Sequence, residues 1–72
     1  MKTYRAQMCR LGDPSIEPQD ITVDVDVDEE VHPGLQAEAW AYAQAFNRNP
    51  GYGVYSFGLL SEILEYESKL NQ

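Results

Sequence analysis

The clearest pattern in the chain lies between residues 20 and 28. Ile21, Val23, Val25 and Val27 alternate with Asp20, Thr22, Asp24, Asp26 and Asp28. Strict period-two alternation of β-branched residues with polar ones predicts a half-buried strand with one face in water. Residues 2 to 11 alternate more weakly. There Tyr4, Ala6 and Met8 share one face, and Arg5, Gln7 and Cys9 share the other. Between the two predicted strands, residues 12 to 19 hold a glycine and two prolines, which read as a loop.

After His32-Pro33-Gly34 the period changes. Leu35, Ala39, Tyr42, Ala43 and Phe46 recur at helical spacing, and alanines at 37, 39, 41, 43 and 45 favour a helix. The expected core-facing stripe is the one carrying Leu35, Tyr42 and Phe46. Proline is expected inside the first turn, where its missing N–H costs nothing. Asn49-Pro50-Gly51 ends the helix. Tyr52 to Phe57 reads as a third strand broken by Gly58. Leu59 to Leu70 reads as a C-terminal helix, with an extension of the strand as its rival.

The expected fold class is therefore α+β: a single domain, residues 1–72, of order ββαβα. Strands one and two pair antiparallel across the loop, and the helix crosses back before strand three. This gives a three-stranded, mainly antiparallel sheet in order 2-1-3. The first helix lies on one face, and the second strand forms an edge.

Charge changes this picture from a fold to a surface. Twelve acidic residues face five basic ones, for a net charge of -7. Nine of the acids fall between Leu11 and Asn47, and that span holds no Lys or Arg. Its formal charge is -9, against +2 for the rest of the chain (five bases less Glu62, Glu65 and Glu67). Segregated charge creates a directional field. It argues against direct nucleic-acid binding, which uses a basic face, and against adsorption to an anionic membrane. No continuous apolar run is long enough for a signal peptide core or a membrane span, so a cytoplasmic protein is expected. A single cysteine, Cys9, fits a reducing compartment.

Asp20, Asp24, Asp26 and Asp28 share one face of the predicted second strand, and Glu29 and Glu30 extend the line. Successive members of the 24-26-28 run stand about 6.8 Å apart, twice the strand rise. That spacing resembles successive phosphates along a nucleic-acid strand. Two uses fit it. One is docking in a basic groove that normally holds DNA or RNA. The other is protection of an exposed edge against self-pairing.

Asp24-Val25-Asp26-Val27-Asp28 also matches the start of a calcium-binding loop. Glu29 and Leu35 stand where that loop needs Gly and Glu, so no metal and no cofactor are expected. His32 reads as a helix-entry residue and Cys9 as a small sheet residue. No oriented base accompanies either, and an enzyme is not expected. Trp40 falls off the apolar stripe, beside Gln36 and Gln44. It is either a binding anchor or a wrap over a thin core. Tyr52 carries the same two readings.

The acidic strand Ile21 to Glu30, the alanine-rich helix Leu35 to Arg48 and the tight Asn49-Pro50-Gly51 entry to the next strand resemble a class of protein. These are the small acidic phage-encoded inhibitors, namely anti-CRISPR proteins and phage inhibitors of host RNA polymerase. The resemblance implies a monomer or homodimer in the host cytoplasm that inhibits a nucleic-acid-processing machine. It would act by occupying a basic surface of a nucleic-acid-binding protein or complex. The charge pattern and the aromatics, not the resemblance, give the expected contact residues: Asp20, Asp24, Asp26, Asp28, Glu29, Glu30, Trp40 and Tyr52. The alternative function is a small assembly module or accessory subunit binding through Trp40 and neighbouring aromatics.

Overall fold

The computed structural model describes residues 1–70. Strand β1 spans Lys2–Arg10, β2 Asp20–Val27 and β3 Tyr52–Leu59; helix α1 spans Leu35–Arg48 and α2 Leu60–Leu70. The three strands form one antiparallel sheet in order β2-β1-β3, an α+β fold with the expected ββαβα order. Because β2 and β3 both run antiparallel to β1, they are parallel to each other across it.

The alternation in β2 sets the inner face. Val25 and Val27 are buried and Ile21 and Val23 half-buried, while Asp20, Thr22, Asp24 and Asp26 stay exposed. Burial deepens toward Val27, and α1 lies chiefly over this strand. From β1, Tyr4, Ala6 and Met8 join this core, and Tyr52 closes it from β3. The ring of Tyr4 stacks on Phe57 at 5.5 Å, and Tyr42 meets Phe57 edge-on at 5.4 Å.

Helix α1 turns a different face to the sheet from the one its large residues predict. Ala37, Ala41 and Ala45, one turn apart, are its buried residues. Leu35 is 85% exposed, Tyr42 44% and Phe46 48%. The reason is steric. Small side chains let the helix lie close on a sheet already filled by Tyr4, Met8 and the valines, and the large residues are left along its flank. Trp40, on the alanine side, is half-buried against the same core.

Pro33 is not in the first turn of α1. The helix begins after Gly34, whose φ of 61° lies in the left-handed region that favours glycine. At the other end, the Asn49 side-chain amide donates to the Ala45 carbonyl at 2.8 Å and satisfies a terminal acceptor.

Gly58 does not break β3. It pairs with Arg5, and the strand continues to Leu59 before α2 starts at Leu60. A Cβ at Gly58 would lie 3.5 Å from the Ile63 side chain, so glycine there lets α2 approach the outer face of the sheet. That contact is thin, because α2 buries none of its residues. The Cα radius of gyration is 13.5 Å, against about 11 Å for a compact chain of this length.

Candidate acidic interface

The acidic residues of β2 lie on the sheet's outer face, and those of the β2–α1 turn continue the line at the edge. Their environments differ because β1 runs alongside with its own outward row. The pairing register sets Arg5 opposite Asp24 and Thr3 opposite Asp26. Arg5 grips Asp24 with two bonds, Nε to Oδ1 at 2.9 Å and Nη2 to Oδ2 at 3.1 Å. Thr3 donates its hydroxyl to Asp26 Oδ1 at 2.6 Å. The Asp24 charge is thus locally matched by a cation, whereas Asp26 receives only the neutral Thr3 hydroxyl.

Beyond the strand, Asp28 builds the turn. Its Oδ1 accepts the Glu30 backbone N–H at 2.9 Å. Its carbonyl accepts those of Val31 and His32 at 3.1 and 2.9 Å. Glu29 has only a loose ion pair, with Lys2 at 3.9 Å. Asp20 and Glu30 are exposed, with no ion pair among the described residues. Six carboxylates and two bases, Lys2 and Arg5, therefore share this edge. The surplus is concentrated at Asp20, Asp26 and the 28–30 turn.

The hydrogen bonds from Arg5, helped by its positive charge, hold the Asp24 carboxyl below the ordinary carboxylate range, although desolvation opposes them. The sign follows from linkage. A carboxyl whose folded value lies below its unfolded value stabilises the fold above the unfolded value. That contribution is lost as pH falls through the folded one. The pair is solvent-exposed and its weight in stability small. The expected result is local: in Arg5→Gln, the Asp24 carboxyl titrates at higher pH than in the parent. Side-chain carboxyl NMR reads this directly, and an unchanged midpoint would mean that the pair does not persist in solution.

The aromatic candidates divide. Tyr52 is 9% exposed, and its hydroxyl donates to the Pro18 carbonyl at 2.6 Å. Arg10 lies over its ring, 5.3 Å from the centroid. It is a core residue that pins the 11–19 loop to β3, and this corrects the expectation that it serves as a surface anchor. Trp40 packs against the core and stacks on His32, with centroids 4.6 Å apart. One ring face of Trp40 is therefore already covered, and His32 has a structural role at the helix entry. The residues that the sequence reading passed over are Arg5 and Thr3. Their outward placement on β1 was legible, but their opposition to Asp24 and Asp26 depends on the register.

Elsewhere the surface is shallow. An open groove of about 480 Å³ lies between α2 and the outer sheet face, beside Arg5, Gln7, Ser56 and Tyr66. Among the described residues no polar or charged side chain is buried, and no three His, Cys, Asp or Glu side chains are placed to hold a metal ion. No helix among them is long and apolar enough to cross a membrane. Comparison with protein-family models, curated proteins and solved structures returns no match.

Proposed function

We propose that this protein works by binding. The acidic edge from Asp20 to Glu30 docks on the basic, nucleic-acid-binding surface of a partner protein and inhibits the partner by excluding its nucleic acid. The observation that carries this reading is the continuous row of exposed carboxylates along β2 and its turn, only partly matched by Lys2 and Arg5. Opposed potentials speed encounter, and the rate falls as salt screens them. The resemblance to small acidic phage inhibitors points the same way and supplies the inhibitory, anti-CRISPR-like role. The assembly-module reading rests on another surface. With Trp40 half-covered, its best support is the exposed pair Tyr42 and Phe46, one turn apart on α1.

The geometry selects the variant that tests the acidic edge. Asp24 and Asp28 hold local structure, so the informative change is Asp20→Asn, Asp26→Asn and Glu30→Gln together. Asn at 26 still accepts the Thr3 hydroxyl. The immobilised parent, offered a bacterial lysate at low salt, is expected to capture nucleic-acid-binding proteins and to release them to added duplex DNA or to salt. The triple variant, folded by circular dichroism, is expected to lose most of that capture. Individual surface charges are weak, so the loss should exceed that of any single change. Equal capture by parent and triple variant would leave the carboxylates as edge protection only.

A further inference from the structure

The sheet has two free edges of opposite character. Along β2 stand Asp20, Asp24 and Asp26. Along β3, Tyr52–Leu59, there is no charged residue and no proline. Charge, proline and bulges are the usual blocks to edge-to-edge pairing; β3 lacks the first two, and its one bulge, at Tyr55, leaves Ser56–Leu59 regular. From the sheet order and the pairings, β1 takes up only one side of β3. Helix α2 does not cover the other side, since it approaches the outer face through Arg5, Gln7 and Gly58. We propose that β3 pairs antiparallel with β3 of a second copy, joining two chains into one six-stranded sheet of order 2-1-3-3-1-2.

Three features of the chain select a second copy as the occupant. The first is electrostatic. Two chains of -7 each repel, and pairing through β2 would set two aspartate rows about 5 Å apart. Pairing through β3 places the β2 strands five strand spacings apart, about 24 Å. That is roughly three Debye lengths at physiological salt. The second is area. A folded chain of this mass exposes about 4500 Å², whereas this one exposes 5012 Å². The surplus is a substantial part of the roughly 800 Å² that each partner of a standard interface buries.

The third is apolar cover. Because α1 lies chiefly over β2, the inner face of β3 is half-bare at Val54 and Phe57. Tyr42, edge-on to Phe57 at 5.4 Å, borders it on the helix flank. A two-fold axis normal to the sheet brings two such half-bare faces side by side and merges them into one apolar strip. A bulge opposite Gln7 and Met8 leaves Tyr55 unpaired on β1, so the longest regular stretch for pairing is Ser56–Leu59.

Sedimentation equilibrium over a wide concentration range tests this. The parent's mass is expected to rise from one chain of 8.2 kDa to two. Ser56→Glu and, separately, Tyr55→Glu change exposed residues and put on the β3 edge the charge that blocks edge-to-edge pairing. Both are expected to stay at one chain at the highest concentration, while Thr22→Glu on β2 dimerises as the parent does. Those backbone amides of Ser56 to Leu59 that point away from β1 are expected to exchange more slowly in the parent as concentration rises. A parent that stays at one chain throughout overturns the proposal and leaves β3 open to a strand of another protein. A folded Ser56→Glu variant that dimerises like the parent also overturns it. Should both β3 variants unfold, concentration-independent exchange at 56–59 in the parent overturns it alone.

Discussion

Val25→Asp is expected to leave the chain without a cooperative folded state at neutral pH. Val25 is 2% exposed, opposite Tyr4 on β1 and within the cluster that includes the α1 alanines. The substitution removes about 1.5–3 kcal/mol of apolar burial. It also places a carboxylate among core side chains that carry no charge to pair with it. The two together come to about 4 kcal/mol or more. A domain of this length has only about 4–11 kcal/mol in total. The introduced carboxyl would have a folded-state pKa above its unfolded one, so the penalty shrinks as pH falls and the group is neutralised. Thr22→Asp, on the exposed face of the same strand, is the control and should move the unfolding midpoint little. A Val25→Asp melting curve within a few degrees of the parent would mean that the inner face of β2 has been misplaced.

That face was legible because alternation in β2 is a one-bit signal. A strand with β-branched residues on one side and carboxylates on the other has only one way to bury itself. Sheet order follows from chain logic, since β1 and β2 can pair antiparallel across the loop and a right-handed crossover returns the chain to the far side of β1. Register did not follow. The nine residues from Leu11 to Gln19 permit several pairings, and only the folded chain shows that Arg5 falls opposite Asp24. The acidic row was therefore read as six equivalent charges. In the structure Asp24 is matched by Arg5 and Glu29 loosely by Lys2, Asp28 closes a turn, and Asp20, Asp26 and Glu30 have no ion pair among the described residues.

Tyr52 shows a related limit. Its position at the head of an aromatic strand fits a surface anchor and a core residue equally. Its hydroxyl partner, the Pro18 carbonyl, lies 34 residues away, and no local pattern announces it. The end of β3 was misjudged for a different reason. Glycine in a strand usually weakens it, but Gly58 sits where the Ile63 side chain of α2 crosses the sheet, so its missing side chain is what the contact uses.

The error in α1 has the largest mechanical consequence. Hydrophobic periodicity ranks residues by size, so Leu35, Tyr42 and Phe46 outweighed the alanines. In a thin two-layer packing the face that approaches closest is the one with least to fit, and Ala41 and Ala45 are fully buried. Ala41→Leu is therefore expected to cost about 1–3 kcal/mol by overpacking, although leucine is nearly as good a helix former as alanine. The added methylenes would press on the sheet beneath and lift α1 from it. Ala43→Leu, one residue past the exposed Tyr42 and itself exposed, makes the same chemical change and should shift stability by no more than about 0.5 kcal/mol. Leu35→Ala should be equally mild at 85% exposure. If the large-residue stripe were the true inner face, the order would reverse: Leu35→Ala would cost about 2–5 kcal/mol and Ala41→Leu would be tolerated. Denaturant midpoints for the three variants decide between the two faces, because each face predicts the opposite ranking.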